Sequence, residues 1–170
     1  MINQRISVHG IEEIKRKMEQ VAADLHGQEM LTGMERACLM VERDARINAP
    51  IDTGRLRNSI TSEVTTGFSL LGGGQTVRGI VGSNVFYAPY MELGTGIPGG
   101  TGKRHWPPSW ALDRWAKRGR HGNTSGYLIA RAIGMRGGLE PRRFLQRAFD
   151  KNREAIINLI GEVVGRIVRK

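Results

Sequence analysis

The chain has 170 residues, 39% of them hydrophobic and 25% charged, a net charge of +10 at pH 7, and one cysteine. That length predicts one domain, able to bury about 70% of the surface its unfolded chain exposes. Composition excludes a disulfide scaffold and a Cys-rich zinc site, and no apolar run approaches the roughly 18 residues that a membrane span needs.

In chain order, Ile2 to Val8 alternate and predict a short first strand. Their stretch, MINQRISVHG, lacks the apolar core of a signal peptide, so synthesis and retention in the cytoplasm are expected. Ile11, Ile14, Met18, Val21 and Leu25 then recur at helical spacing, and Gly27 ends that helix. A second helix places Met30, Met34, Cys38, Val41 and Ala45 on one face, with Glu35, Glu42 and Asp44 off it. Cys38 is therefore expected as a small buried core residue. Pro50 stops this helix, because proline disfavours a helical conformation in the residue before it.

Ile60, Ser62, Val64 and Thr66 alternate in a strand over Ser59–Thr66, with Gly72 to Gly74 as its turn and Thr76–Gly82 as its hairpin partner. Gly94 to Gly102, mostly Gly, Thr and Pro, reads as loop. Short helices follow over Pro108–Arg118 and Ser125–Met135. A long last helix begins near Pro141, with Leu145, Phe149, Ile156, Ile160, Val163 and Ile167 as its apolar stripe. Leu159, Val164 and Val168 widen that stripe enough to pack on a sheet. The class is α+β: a small antiparallel sheet packed against a long C-terminal helix and N-terminal helices, in one domain over residues 1–170. Residues 97–138 read as a loop and a basic helical segment.

Charge is concentrated in that last third. From Ile97 to Arg147 there are eleven Lys or Arg against Asp113 and Glu140, so this segment holds +9 of the +10. Such a region implies a polyanion or an acidic protein surface as neighbour, the plain alternative being a solvated basic face. All three tryptophans, Trp106, Trp110 and Trp115, lie within it. Aromatic and basic residues interleaved can stack on single-stranded nucleic acid. Trp and Arg are also the residues that anchor protein–protein contacts, and a core or subunit contact is the preferred reading.

The stretch Asn48 to Ile60, NAPIDTGRLRNSI, spells the Asp-Thr-Gly of aspartic proteases at Asp52, Thr53 and Gly54. That chemistry needs two carboxylates sharing a proton on turns between buried strands. Here a helix and Pro50 precede a single copy, and Asp and Gly are ordinary turn formers. The loop GIPGGTGKR, Gly96 to Arg104, misses the phosphate-binding pattern, with Gly96 one residue too far and Arg104 in place of Ser or Thr. His9, His26, His105 and His121 show no metal-ligand spacing. No catalytic residue, cofactor or metal is expected, and the chain does not read as an enzyme.

Three stretches in order, NAPIDTGRLRNSI, then VFYAPYMELGTG, then GLEPRRFLQRAFD, resemble the putative tail-component family of long-tailed phages, the gene-product-ten-like proteins. The family pattern A-P-x-D-T-G-x-L-x-x-S-I is met by Ala49, Pro50, Asp52, Thr53, Gly54, Leu56, Ser59 and Ile60. Y-A-x-x-x-E-x-G-T is met by Tyr87, Ala88, Glu92, Gly94 and Thr95, and the last helix opens with Pro141, Phe144, Leu145 and Ala148. The basic helical segment within 97–138 resembles a helical insertion in some members of the family. One departure is Arg143, where the commoner pattern runs Arg-Pro-Phe.

The resemblance implies a structural virion protein of the siphophage neck, completing the tail and joining it to the DNA-filled head. It implies a ring of identical subunits, commonly a hexamer, between head-closure or connector proteins and the tail terminator or tail tube. Assembly in the host cytoplasm and no membrane partner go with it. A tail terminator capping the tube is the alternative within that class. A basic DNA-binding protein is the alternative outside it, with the 108–118 and 125–135 pair as its helix-turn-helix candidate.

Site expectations follow. Asp52, Thr53 and Gly54 shape the turn between the second helix and the sheet. Arg55, Tyr87, Tyr90, Glu92, Arg142 and Phe144 join the three tryptophans as candidate interface residues. Arg114, Lys117, Arg118, Arg120 and Arg136 are candidate contacts to an acidic partner, or secondarily to double-stranded DNA passing through the neck. Partner docking is favoured because a strongly cationic lumen would hold DNA and slow its ejection.

Overall fold

The computed structural model describes residues 11–24, 27–68, 75–117 and 124–169. Among them, helices α1 (Ile11–Asp24), α2 (Gln28–Asn48) and α3 (Arg55–Asn58) precede strands β1 (Ile60–Phe68) and β2 (Gln75–Ser83). Helices α4 (Ala88–Leu93), α5 (Ser109–Ala116), α6 (Gly126–Met135) and α7 (Phe144–Arg169) follow. The α+β class is as the sequence predicts. The two strands form one antiparallel hairpin, with the Ser59 and Ser83 hydroxyls 2.7 Å apart at one end and the Thr76 hydroxyl donating to the Gly67 carbonyl near the other. The expected strand at Ile2–Val8, the helical position of Leu25 and the Gly72–Gly74 turn lie outside the described residues.

The chain divides into two compact units. The first comprises Met1–Leu39, Ser62–Ile80 and Arg153–Lys170, and the second Met40–Thr61 and Val81–Asn152. The boundary falls inside α2, the hairpin and α7, so each of these elements contributes residues to both units.

In the first unit, Met30, Val163 and Ile167 are buried, and Val21, Val77, Ile160 and Val164 pack against them. The hairpin shows the predicted alternation through Val64: Ser62, Val64, Val77 and Gly79 turn inward while Glu63, Thr65, Thr76 and Arg78 face out. Thr66, expected on the inward set, is instead exposed. Gly79 sits directly over Cys38 and Met34, and a Cβ there would overlap the Cys38 sulfur. Cys38 is buried, as its place in the α2 stripe predicts. On α1 the expected apolar stripe is exposed at Ile14 and Met18, while Val21 joins the core cluster.

The second unit corrects two expectations. Helix α7 starts at Phe144 rather than near Pro141, and its first buried positions are Phe144, Ala148 and Asn152, in steps of four. Leu145 is only half-buried and Phe149 is 51% exposed, so the predicted stripe is turned by one residue there. The polar Asn152 hides this register, since an apolar stripe cannot be traced through it.

Asp44 is the second correction: expected off the buried face of α2, it is 3% exposed. Burial of a carboxylate requires partners, and Asn152 Nδ2 donates to it at 2.7 Å while also donating to the Ala148 carbonyl at 2.8 Å. Lys151 Nζ lies 3.0 Å and Arg43 Nε 3.5 Å from its oxygens. The Asn152 hydrogen bond, then that of Lys151, hold the Asp44 carboxyl below its ordinary range against the opposing effect of burial. A carboxyl depressed on folding stabilises above its unfolded pKa, about 3.9, and the contribution is lost as pH falls through the folded value. Urea unfolding of the parent and Asp44→Asn is therefore expected to show the widest stability gap at pH 7, narrowing below about pH 4 as the parent's carboxyl protonates.

Candidate docking groove

The second unit builds its surface from three local devices. The first is the turn after α2. Gly54 has φ 78° and ψ −6°, a left-handed conformation that glycine takes without steric penalty. Its carbonyl accepts from the Asn58 N–H at 2.9 Å, and the Thr53 hydroxyl accepts from the Arg55 N–H at 3.4 Å. The chain thereby reverses into α3 with Leu56 buried, and Ile60 follows with no exposed surface. The Arg46 guanidinium secures the strand start, donating to the Ile60 carbonyl from Nε at 3.1 Å and Nη2 at 2.7 Å.

The second device clamps 91–97 against 137–143. The Thr95 N–H donates to the Leu139 carbonyl at 2.8 Å, and the Leu139 N–H returns to the Thr95 hydroxyl at 3.0 Å. The Arg142 and Arg143 N–H groups donate to the carbonyls of Met91 and Glu92 at 2.9 and 3.1 Å. The Glu92 carboxylate then accepts from the Leu145 and Gln146 N–H groups at 2.9 and 3.0 Å. Those groups have no partner within the first turn of α7, and a negative charge there complements the helix dipole. Gly94, at φ 75°, lets the chain pass so close that a Cβ would lie 2.5 Å from the Leu139 oxygen.

The third device is the α5–α6 pair, which packs face to face. Asp113 Oδ1 accepts from the Gly126 N–H at 3.1 Å, and the Ser125 hydroxyl caps α6 by accepting from the Tyr127 N–H at 3.2 Å. Trp106 lies flat against Gly134, where any side chain would collide with its ring.

Between these devices is a cavity of about 740 Å³ within the second unit. One wall is Pro50 to Leu56 with Tyr87, Tyr90 and Met91; the other is Pro107, Ala111, Leu112 and Trp115 with Ile133 and Leu139. Thr95, His105 and Arg142 complete the lining, which is mostly apolar. The volume falls in the range of pockets that engulf a ligand or an anchoring side-chain cluster, about 300–1,000 Å³.

Several residues singled out from sequence meet here: Asp52, Thr53, Gly54, Arg55, Tyr87, Tyr90, Trp115 and Arg142 all line it. Two candidate interface residues are corrected. Phe144 is 0% exposed and belongs to the core, and the Glu92 carboxylate is turned onto the start of α7. Trp106 and Trp110 are exposed outside the lining. Arg114, Lys117 and Arg136 are also exposed outside it; Lys117 and Arg136 end α5 and α6, where a cation suits the helix dipole. Arg118 and Arg120 lie outside the described residues. Sequence reasoning missed Pro107, Ala111, Leu112, Ile133 and Leu139. For Ala111, Leu112 and Ile133 the half-apolar spacing of two short helices carried the only signal, and for Pro107 and Leu139, outside those helices, there was none. Among the described residues, no group of three or more His, Cys, Asp or Glu is placed to hold a metal ion, and no helix is long and apolar enough to cross a membrane. The second unit carries 16 basic against 7 acidic residues, the first 10 against 9.

Residues 11–94 match the family described as bacteriophage HK97-gp10, putative tail-component. No curated protein and no solved structure matches.

Removing the Glu92 cap by Glu92→Ala is expected to cost about 1–2 kcal/mol, read as a fall in thermal midpoint. Arg143 has φ 51°, an angle closed to proline, and its N–H is bonded. Arg143→Pro, which restores the commoner family pattern, is thus expected to destabilise more than Glu92→Ala, and Arg143→Gly to be neutral or stabilising by up to about 1 kcal/mol. A thermal melt of each variant checks the order.

Proposed function

We infer that this chain, whose residues 11–94 match the HK97-gp10-like family of bacteriophage tail components, is a structural protein of the virion neck. It completes the tail and joins it to the DNA-filled head as one subunit of a ring, commonly sixfold, assembled in the host cytoplasm. Its work is geometric rather than chemical, and it is not an enzyme. The observation that carries this reading is the convergence of two family stretches, Asp52 to Arg55 and Tyr87 to Met91, on one apolar cavity. A docking protein needs such a surface.

The Asp-Thr-Gly triplet serves as a turn that aims Arg55 and Leu56. A ring of identical subunits requires a heterologous contact, in which one patch meets a different patch on the next copy. The many exposed apolar side chains away from the cavity, among them Ile14, Met18, Leu39 and Ile157, suit such contacts. The cationic second unit favours acidic proteins above or below the ring over the passing DNA, because a groove lined with Leu112, Trp115 and Ile133 offers apolar anchorage that a phosphate backbone cannot use.

Deletion of the gene from its phage or prophage, with electron microscopy of the induced lysate, tests the role. Filled heads beside unattached tails of normal length are expected. Overlong tails would make the protein a tail terminator, and a normal yield of intact virions would overturn the neck role altogether.

A further inference from the structure

We propose that the cavity of the second unit is the docking site for an apolar segment flanked by acidic residues, supplied by a different protein of the assembly. The proposal deepens the neck reading, on which it rests for where that partner is found. The chemistry of the partner comes from the groove itself.

Apolar anchorage comes from both walls. Ile51 and Tyr90 stand 63% and 56% exposed on one, while Leu112, Trp115 and Ile133 line the other. Rigid aromatic and aliphatic groups around a cavity are the usual receivers of a short anchoring segment.

Charge selects what flanks that segment. The second unit has seven acids, and several are engaged inside it. Asp44 is bonded to Asn152, Glu42 pairs with Arg46, Glu92 caps α7, and Asp113 holds Gly126. Against them stand 16 basic residues, of which Arg43, Arg46 and Lys151 pair with Asp44 or Glu42. The lining itself holds Arg55 and Arg142 with Asp52. The resulting field attracts acidic flanks and speeds their encounter.

The same field argues against the other occupants. A second copy offers either its own cationic second unit, which this field repels, or a first unit of 10 basic against 9 acidic residues, which it does not draw. Ring contacts therefore fall to surfaces outside the groove. Duplex DNA matches the charge, but it has no side chain to fill an apolar cavity. The groove is also composite: the Pro50–Leu56 wall lies within the family-matched residues 11–94, and the α5–α6 wall lies beyond them. The α5–α6 wall therefore sets which partner is accepted.

The test uses the full chain and three labelled synthetic peptides with one Leu/Phe core, flanked by Glu, by Gln or by Lys, with binding read by fluorescence anisotropy. The Glu-flanked peptide is expected to bind about tenfold tighter than the Gln-flanked one, and the Lys-flanked one weakest. Ala111→Glu fills the cavity from an exposed position on α5 and is expected to weaken binding about tenfold or more. The double change Arg55→Glu with Arg142→Glu is expected to favour the Lys-flanked peptide. Circular dichroism melts show whether each variant folds; if Ala111→Glu does not, Thr53→Glu on the opposite wall takes its place.

Equal binding of the three peptides overturns the charge claim, and binding insensitive to the cavity-filling change overturns the site. Peptide binding that splits an oligomer of this chain in sedimentation makes a second copy the occupant, and a short duplex competing at the same cavity makes it DNA; either overturns the proposal. The peptide result and the deletion phenotype fail separately. Unattached tails with no peptide binding would remove the groove and keep the neck, and the reverse pair would remove the neck and keep the groove.

Discussion

The carboxylate of Glu92 on the first turn of α7 is the contact on which the second unit depends. It joins residues 53 and 54 positions apart in the chain, and it does so at a point where backbone donors otherwise lack partners. Because α7 begins there, Phe144, Ala148 and Asn152 fall on its inward face in steps of four. Asn152 then meets Asp44, which fixes the second half of α2 against the helix that Glu92 started. The backbone ladder from Met91 to Ile97 runs out of the same corner and carries Leu139 and Arg142 to the cavity lining. One acid thus sets the register of a helix, and the register sets a core and a wall of the groove.

Much of the fold was legible because its signals are local. The α2 stripe through Cys38 and Val41, the stop at Pro50 and the alternation of the hairpin each depend on residues within a few positions of one another. The Asp52–Gly54 turn was legible for the same reason, and Gly54 shows the positive φ that such a turn requires. What escaped notice was long-range and polar. Asp44 looks like a surface acid on a helical wheel, and its burial is explained chiefly by Asn152, 108 residues away, with Lys151 beside it. Glu92 looks like an interface acid on a tyrosine-rich helix until α7 is seen beside it.

The groove was half legible. Its residues from the two family stretches could be singled out by motif, but the opposing wall could not. Ala111, Leu112 and Ile133 are unremarkable apolar residues on short helices, and their placement follows from Asp113 holding Gly126 and from Trp106 lying on Gly134. The cationic character was visible from the start. Its meaning changes once an apolar groove is found within the same unit.

Helix α7 belongs to both units, giving Phe144 to Asn152 to one and Arg153 onward to the other. Val163 and Ile167 complete the first core as Phe144 completes the second. Neither unit can therefore close on a chain that lacks α7. A chain cut short before α7 thus presents no finished groove to compete with intact subunits for a partner.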